Sequence, residues 1–161
     1  MKVLLTGANG YIGRRLKEKL LDEDVSLRLL ARNPKSLTPN VEAEVFQGDS
    51  FDVSSLERAL EGVDTAYYLI HSLQDKNYRE LDKLSAQNFL NAAIKKNVKR
   101  IIYLGGLGVK EHASTHLLSR IETGEILSSR PNEIETLWLR AGVIIGSGSA
   151  SFEIIRHLTE K

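Results

Sequence analysis

The stretch Met1-Lys-Val-Leu-Leu-Thr-Gly-Ala-Asn-Gly-Tyr-Ile-Gly13 decides the fold. Val3 to Thr6 reads as a short buried strand, the next residues as a tight turn, and Tyr11 onward as the start of a helix. Gly7, Gly10 and Gly13 stand in the spacing G-x-x-G-x-x-G. The first glycine permits the sharp bend, the second removes a side chain where a ligand must approach, and the third lets the helix press on the strand. The opening turn of the helix offers N–H groups without intrahelical acceptors, and the positive end of its dipole. Such a turn accommodates a diphosphate. Thr6, Gly7, Asn9, Gly10, Tyr11, Ile12 and Gly13 are its candidate contacts.

Working outward, strand-like and helix-like stretches alternate to the end of the chain. Ile12, Leu16 and Leu20 mark one face of the first helix. Val25 to Ala31 is an apolar strand closed by Asn33-Pro34. Glu42 to Gln47 alternates as an outer strand does. Asp52 to Leu60 predicts a short helix with Asp52 as its N-cap, stopped at Gly62. Thr65 to Ile70 lacks polar alternation, as a strand covered on both faces should. Asn77 to Asn97 is the longest helix, with Leu81, Leu84, Ser85, Asn88, Phe89 and Ala92 on or near its inner stripe. Arg100 to Leu104 is another apolar strand, followed by a helix over Thr115 to Ser129, a strand over Ile134 to Arg140 and a helix from Ser149. This alternation predicts an α/β, three-layer α/β/α domain. Its doubly wound parallel sheet, the Rossmann fold, holds its ligand at the carboxyl ends of the strands.

The 161 residues fit one domain, 1–161, and 42% hydrophobic content suffices for a core. The sequence ends inside its last helix, which leaves open both a fragment and a natural protein without a substrate-covering part. With 22 basic and 21 acidic residues the net charge is +1, which argues against a nucleic-acid surface. There is no cysteine, so disulfides, thiolate catalysis and Cys-bound metals are excluded. No apolar run approaches the roughly 20 residues that span a bilayer, and the N-terminus does not read as a signal peptide. A cytoplasmic protein without membrane partners is the expectation.

Thr6-Gly-Ala-Asn-Gly-Tyr-Ile-Gly13 is similar to the fingerprint of extended and atypical short-chain dehydrogenases/reductases. Gln47-Gly-Asp-Ser50, Tyr67-Tyr-Leu-Ile-His-Ser72, Tyr103-Leu-Gly-Gly-Leu-Gly108 and Leu139-Arg-Ala-Gly-Val-Ile-Ile-Gly146 follow in the order of that family's later landmarks. The resemblance spans the chain and is nearest to NmrA-like and nucleotide-sugar-epimerase-like members. It implies a nicotinamide dinucleotide as ligand and hydride transfer as chemistry. It also implies an adenine contact at Asp49, beside Ser50.

An acid at the end of the second strand usually marks NAD. Here Leu29-Leu-Ala-Arg-Asn-Pro-Lys35 puts Arg32 near that place, where a guanidinium can clamp a 2′-phosphate, with Lys35 or Arg14 adding charge. NADP(H) is therefore the preferred cofactor, with NAD(H) possible; otherwise Arg32 is a solvated loop charge. His71 ends the fourth strand, where it reaches ribose or substrate or is a satisfied surface histidine.

Active members of the family use Tyr-x-x-x-Lys on one helix face and a strand-end hydroxyl. The matching segment is His116-Leu-Leu-Ser-Arg120, and Leu104-Gly-Gly-Leu107 carries no hydroxyl. Two readings stand. In one, His116 is a substitute general acid with Arg120 holding the ribose, and Ser114, Thr115 and Ser119 lie nearby. In the other, the chain is a non-catalytic redox sensor or regulatory module that binds the cofactor and a protein partner. The substrate is not legible in either. His112 and His116, four apart, lack a third ligand and are read as coincidence, so no metal is expected.

Overall fold

The computed structural model describes residues 1–37, 42–72 and 76–159. Six parallel strands form one sheet: β1 (Lys2–Thr6), β2 (Ser26–Ala31), β3 (Glu44–Gln47), β4 (Thr65–Tyr68), β5 (Arg100–Gly106) and β6 (Glu135–Ala141). Their order is β3-β2-β1-β4-β5-β6. The helices are α1 (Tyr11–Leu21), α2 (Val53–Leu60), α3 (Tyr78–Lys95), α4 (Thr115–Leu127) and α5 (Ala150–Thr159). The expected alternation is therefore present throughout, with ends that move by a few residues; positions 160 and 161 of the last expected helix lie outside the described residues. Two short 3-10 turns, Pro34–Ser36 and Lys110–His112, stand between elements.

Each face of the sheet builds its own core, because neighbouring residues on a strand point to opposite sides. Val3, Leu5, Leu27 and Leu29 pack with Leu20 of α1 on one face. Leu4, Leu30, Ala66, Tyr68, Ile101 and Tyr103 pack on the other with residues of α2, α3 and α4. The structure is thus a three-layer α/β/α domain with the order of a doubly wound sheet. The chain leaves β1 toward β2 on one side and returns to β4 on the other, so a crevice opens between the carboxyl ends of β1 and β4.

One buried charge interrupts the apolar pattern of β2. The Arg28 guanidinium donates to the carbonyls of Ala59 at 2.7 Å and Glu61 at 3.0 Å, and to Glu44 Oε2 at 2.8 Å. It satisfies carbonyls that the last turn of α2 leaves without N–H partners. At the other end of α2, the Asp52 carboxylate accepts from the N–H groups of Ser54 and Ser55, the cap expected from the sequence.

The inner stripe of α3 departs from the expected phase. Its buried residues are Asp82, Ser85, Ala86, Phe89, Leu90, Ala92 and Ala93, whereas Leu84 is 51% exposed. A carboxylate occupies the buried column ahead of Ala86, and a pattern traced by leucines follows the wrong edge of the helix.

Candidate cofactor and proton-transfer site

The turn after β1 has the geometry its glycines demand. Gly7 adopts φ +66°, and a β-carbon there would stand 2.5 Å from the Leu69 carbonyl oxygen. A β-carbon on Gly13 would press into the Gly7 carbonyl, so α1 lies against the turn with no room to spare. Gly10 differs: its β-carbon would meet only the Gly7 oxygen, at 3.3 Å. The space beyond Gly10 is open, at the N-cap of a helix whose first turn has neither a side-chain cap nor an acidic residue. This is a cradle that backbone amides surround and a side chain would fill, and it fits a diphosphate.

A cleft of about 820 Å3 runs from this turn along the carboxyl edge of the sheet. Gly7, Asn9 and Gly10 border it at β1, Arg32 at β2, Asp49 and Ser50 after β3, and His71 and Ser72 after β4. The loops after β1 and β2 are tied together, since Asn9 Nδ2 donates to Ser36 Oγ at 2.6 Å. Arg32 is exposed and, among the described residues, makes no ion pair; the same holds for Lys35 and Arg14. Other expected contacts serve the scaffold as well. Thr6 is fully buried, and its hydroxyl donates to the Tyr67 carbonyl and accepts from the Leu69 N–H, which stitches β1 to β4. Asp49 Oδ1 accepts from the Phe51 N–H at 3.1 Å and so shapes the turn into α2. Ser50 is buried, and its carbonyl accepts from Asn88 of α3. Ile12 is half-buried in the first turn of α1. The Tyr11 ring lies under the Arg15 guanidinium at 3.7 Å, and its hydroxyl abuts Gly146.

His116 starts the exposed edge of α4, and its Nε2 lies 2.9 Å from Nε2 of His71. Nδ1 of His71 in turn lies 2.5 Å from Oδ2 of Asp82. Asp82 is 3% exposed, yet it is held as a carboxylate by two further donors. The Ser72 N–H reaches Oδ1 at 2.8 Å and the Ser119 hydroxyl reaches Oδ2 at 2.8 Å. Burial pushes its pKa up, but the His71 hydrogen bond and charge, with Ser119 and the Ser72 amide, carry it below the ordinary value. His116 moves down from the usual imidazole range, first through burial, then through the charges of His71 and Arg120. Arg120 itself donates to the Leu104 carbonyl, and its guanidinium lies 5.4 Å from the centre of the Tyr103 ring. Sequence reasoning missed Asp82 and the pairing of His71 with His116. The periodicity of α3 contained the signal, a carboxylate in line with Phe89. His112 does not share a helix with His116: it ends the 3-10 turn, and Ser114 caps α4 by accepting from the Leu117 N–H. Among the described residues no group of three or more metal-ligating side chains occurs.

Comparison with known proteins agrees with this geometry. Residues 7–131 match the NAD(P)H-binding family. The chain is 32% identical over 112 residues to the auxiliary protein GraX of Staphylococcus aureus, covering 65% of this chain and 36% of that protein. It is 31% identical over 119 residues to (4-alkanoyl-5-oxo-2,5-dihydrofuran-3-yl)methyl phosphate reductase of Streptomyces griseus, covering 73% and 39%. The chain thus spans well under half the length of these relatives. The structure of MoeE5 in complex with UDP-glucose and NAD superposes with a TM-score of 0.80 at 20% identity, over 98% of this chain and 60% of that one. The NADPH-dependent quinone oxidoreductase QOR2 of Escherichia coli, complexed with NADPH, gives 0.72 at 27% identity, over 86% and 48%. No described helix is long and apolar enough to cross a membrane. The open turn at Gly10, the sheet order and the matched residues together place this chain in the NAD(P)H-binding family, among the atypical relatives of the short-chain dehydrogenases/reductases.

Proposed function

We propose that this chain is the cofactor-binding part of an oxidoreductase that prefers NADP(H) and uses His116 where relatives use a tyrosine. One observation carries the reading: His116 joins, through a 2.9 Å contact, the histidine that borders the cofactor cleft. A nicotinamide held in the cleft would supply or accept a hydride at the carbon of a carbonyl or activated double bond. The residues of the chain handle the remaining charge. An oxygen that gains negative charge needs a proton, and an imidazole moves one at neutral pH. Arg120 keeps the lysine's charge four residues on; one guanidinium N–H is spent on Leu104, and its other donors are proposed for the ribose hydroxyls. Arg32 is proposed to hold the 2′-phosphate, with Lys35 or Arg14 adding charge, supported by its freedom from carboxylates among the described residues. The turn from Thr6 to Gly13 takes the diphosphate and Asp49, with Ser50, the adenine side.

The test is NADPH turnover with a panel of small aldehydes, ketones and enones, in the wild type and in His116→Gln. The expected result is a loss of about 100-fold or more in kcat with NADPH affinity retained. Unchanged turnover in the variant contradicts the role of His116. Tight NADPH binding with no turnover on any substrate would favour a cofactor-sensing module instead.

A further inference from the structure

Three segments far apart in the chain deliver a connected line of proton-bearing atoms. Asp82 comes from α3, His71 from the segment after β4 and His116 from α4. A carboxylate only accepts, so the hydrogen between Asp82 Oδ2 and His71 Nδ1 sits on the imidazole. That leaves Nε2 of His71 and Nε2 of His116 facing each other at 2.9 Å, with room for one hydrogen between them. The buried end of the line is anchored by the Ser119 hydroxyl and the Ser72 amide, both at 2.8 Å from the carboxylate. The outer end is the exposed His116 ring.

The geometry points to a two-histidine proton relay, in which His71 stores the proton that His116 delivers and Asp82 positions and charge-balances the pair. The inference rests on His116 being the proton donor of the proposed reaction. In the resting state His71 carries hydrogen on Nδ1 and His116 on Nε2, so Nε2 of His71 accepts and Nδ1 of His116 bears a lone pair. A proton arriving at Nδ1 of His116 makes that ring cationic. Its Nε2 hydrogen then passes to Nε2 of His71, and the positive charge comes to lie against the Asp82 carboxylate. Discharge runs the same steps backward: the hydrogen returns to His116 Nε2, and Nδ1 gives its proton to the developing oxyanion. One proton enters, one leaves, and no electrons move.

The surroundings favour one proton on the pair and oppose two. A doubly charged pair would set two N–H groups head to head across 2.9 Å. Among the described residues, the groups around the line are few. From α3 come Asp82 and the Tyr78 ring, edge-on to His71 at 6.3 Å. From α4 come Ser119 and Arg120, whose charge works against a proton on His116. Tyr68 and Tyr103 on the strands are buried, with hydroxyls engaged by Ser85 and the Arg120 carbonyl; burial pushes both phenols up, Tyr103 to about 12, so neither ionises in the relevant range. The Arg79–Glu122 pair, with contacts of 2.5 and 2.6 Å, clamps the same two helices; Lys83, 3.6 Å from the same carboxylate, is paired in turn with Glu80.

The experiment is a 15N NMR titration of the imidazole nitrogens in the full chain without cofactor, from about pH 5 to pH 8. The expected result is that His71 and His116 take up their first proton together, with both rings reporting one midpoint. Asp82→Asn should lower that midpoint by about one to three pH units through loss of the adjacent negative charge. Independent titration of the two rings in the wild type overturns the relay. So does a midpoint that Asp82→Asn leaves in place; if that variant does not fold, the wild-type titration decides, since joint uptake by the two rings supports the relay and independent uptake overturns it. Failure of wild-type NADPH binding would contradict the cofactor reading and leave the titration result standing.

Discussion

The indole of Trp138 on β6 occupies the space that a β-carbon on Gly124 of α4 would need. The same indole lies against Gly105 of β5 on its nitrogen edge, so the ring is confined between two glycines and cannot swing aside. A glycine within a helix costs about 1 kcal/mol relative to alanine. Close approach of α4 to the sheet offsets that cost. Gly124→Ala therefore gains helix propensity and loses more to overpacking. The expected net change is a destabilisation of about 1–2 kcal/mol, read as a lower urea midpoint at constant slope. A raised midpoint would contradict the packing.

The three glycines of the first turn should separate by phenotype. Gly10 has φ −69°, an ordinary value for any residue, and little stands near its absent side chain. Gly10→Val should fold with a melting temperature close to the wild type and lose at least about tenfold in NADPH affinity, since the bulk enters the space of the diphosphate. Gly13→Ala meets the Gly7 backbone and should lower thermal stability as well as binding. Equal stability of the two variants would refute the distinction.

Arg32→Asp should invert cofactor choice. The acid would repel a 2′-phosphate and accept from the hydroxyls of an unphosphorylated ribose. The expected outcome is a higher Kd for NADPH and a lower one for NADH, by competitive fluorescence titration. Identical ratios before and after the change would remove Arg32 from the site.

Asp82 makes a specific pH prediction. Its folded-state pKa lies below the ordinary value, so the unfolded chain binds this proton more readily than the folded one. The stabilisation is present in full above the unfolded pKa of about 4, and is lost as the pH falls through the depressed folded value. Asp82→Asn has no such proton to bind. Urea midpoints of wild type and variant should therefore differ most near neutrality and converge between about pH 4 and pH 2. A difference that stays constant over that interval would mean that Asp82 titrates alike in both states.

The fold was legible because its signals are local. Val3 to Thr6 followed by three spaced glycines can be read within thirteen residues, and the apolar strands at 65–68 and 100–106 announce burial on both sides without reference to anything distant. Candidate positions along the cofactor cleft, Arg32, Asp49 and His71 among them, could be named because each follows a strand end, and strand ends share one edge of a parallel sheet. The proton line was hidden for the opposite reason. His71 and His116 are separated by 45 positions, and only the fold brings the segment after β4 beside the start of α4. The spacing that sequence offered instead, His112 with His116, is broken by Ala113 and the cap at Ser114. Asp82 was obscured by its setting, since a carboxylate among the leucines and alanines of α3 reads as a solvated face until three donors are found around it.

If the open amides beyond Gly10 bind the diphosphate of a nicotinamide dinucleotide, isothermal titration of NADPH into the wild type and Gly10→Val will show it. Saturable one-to-one binding is expected in the wild type, and at least about tenfold weaker binding in a folded variant. Equal affinity in the two proteins, or no heat of binding in the wild type, would contradict it.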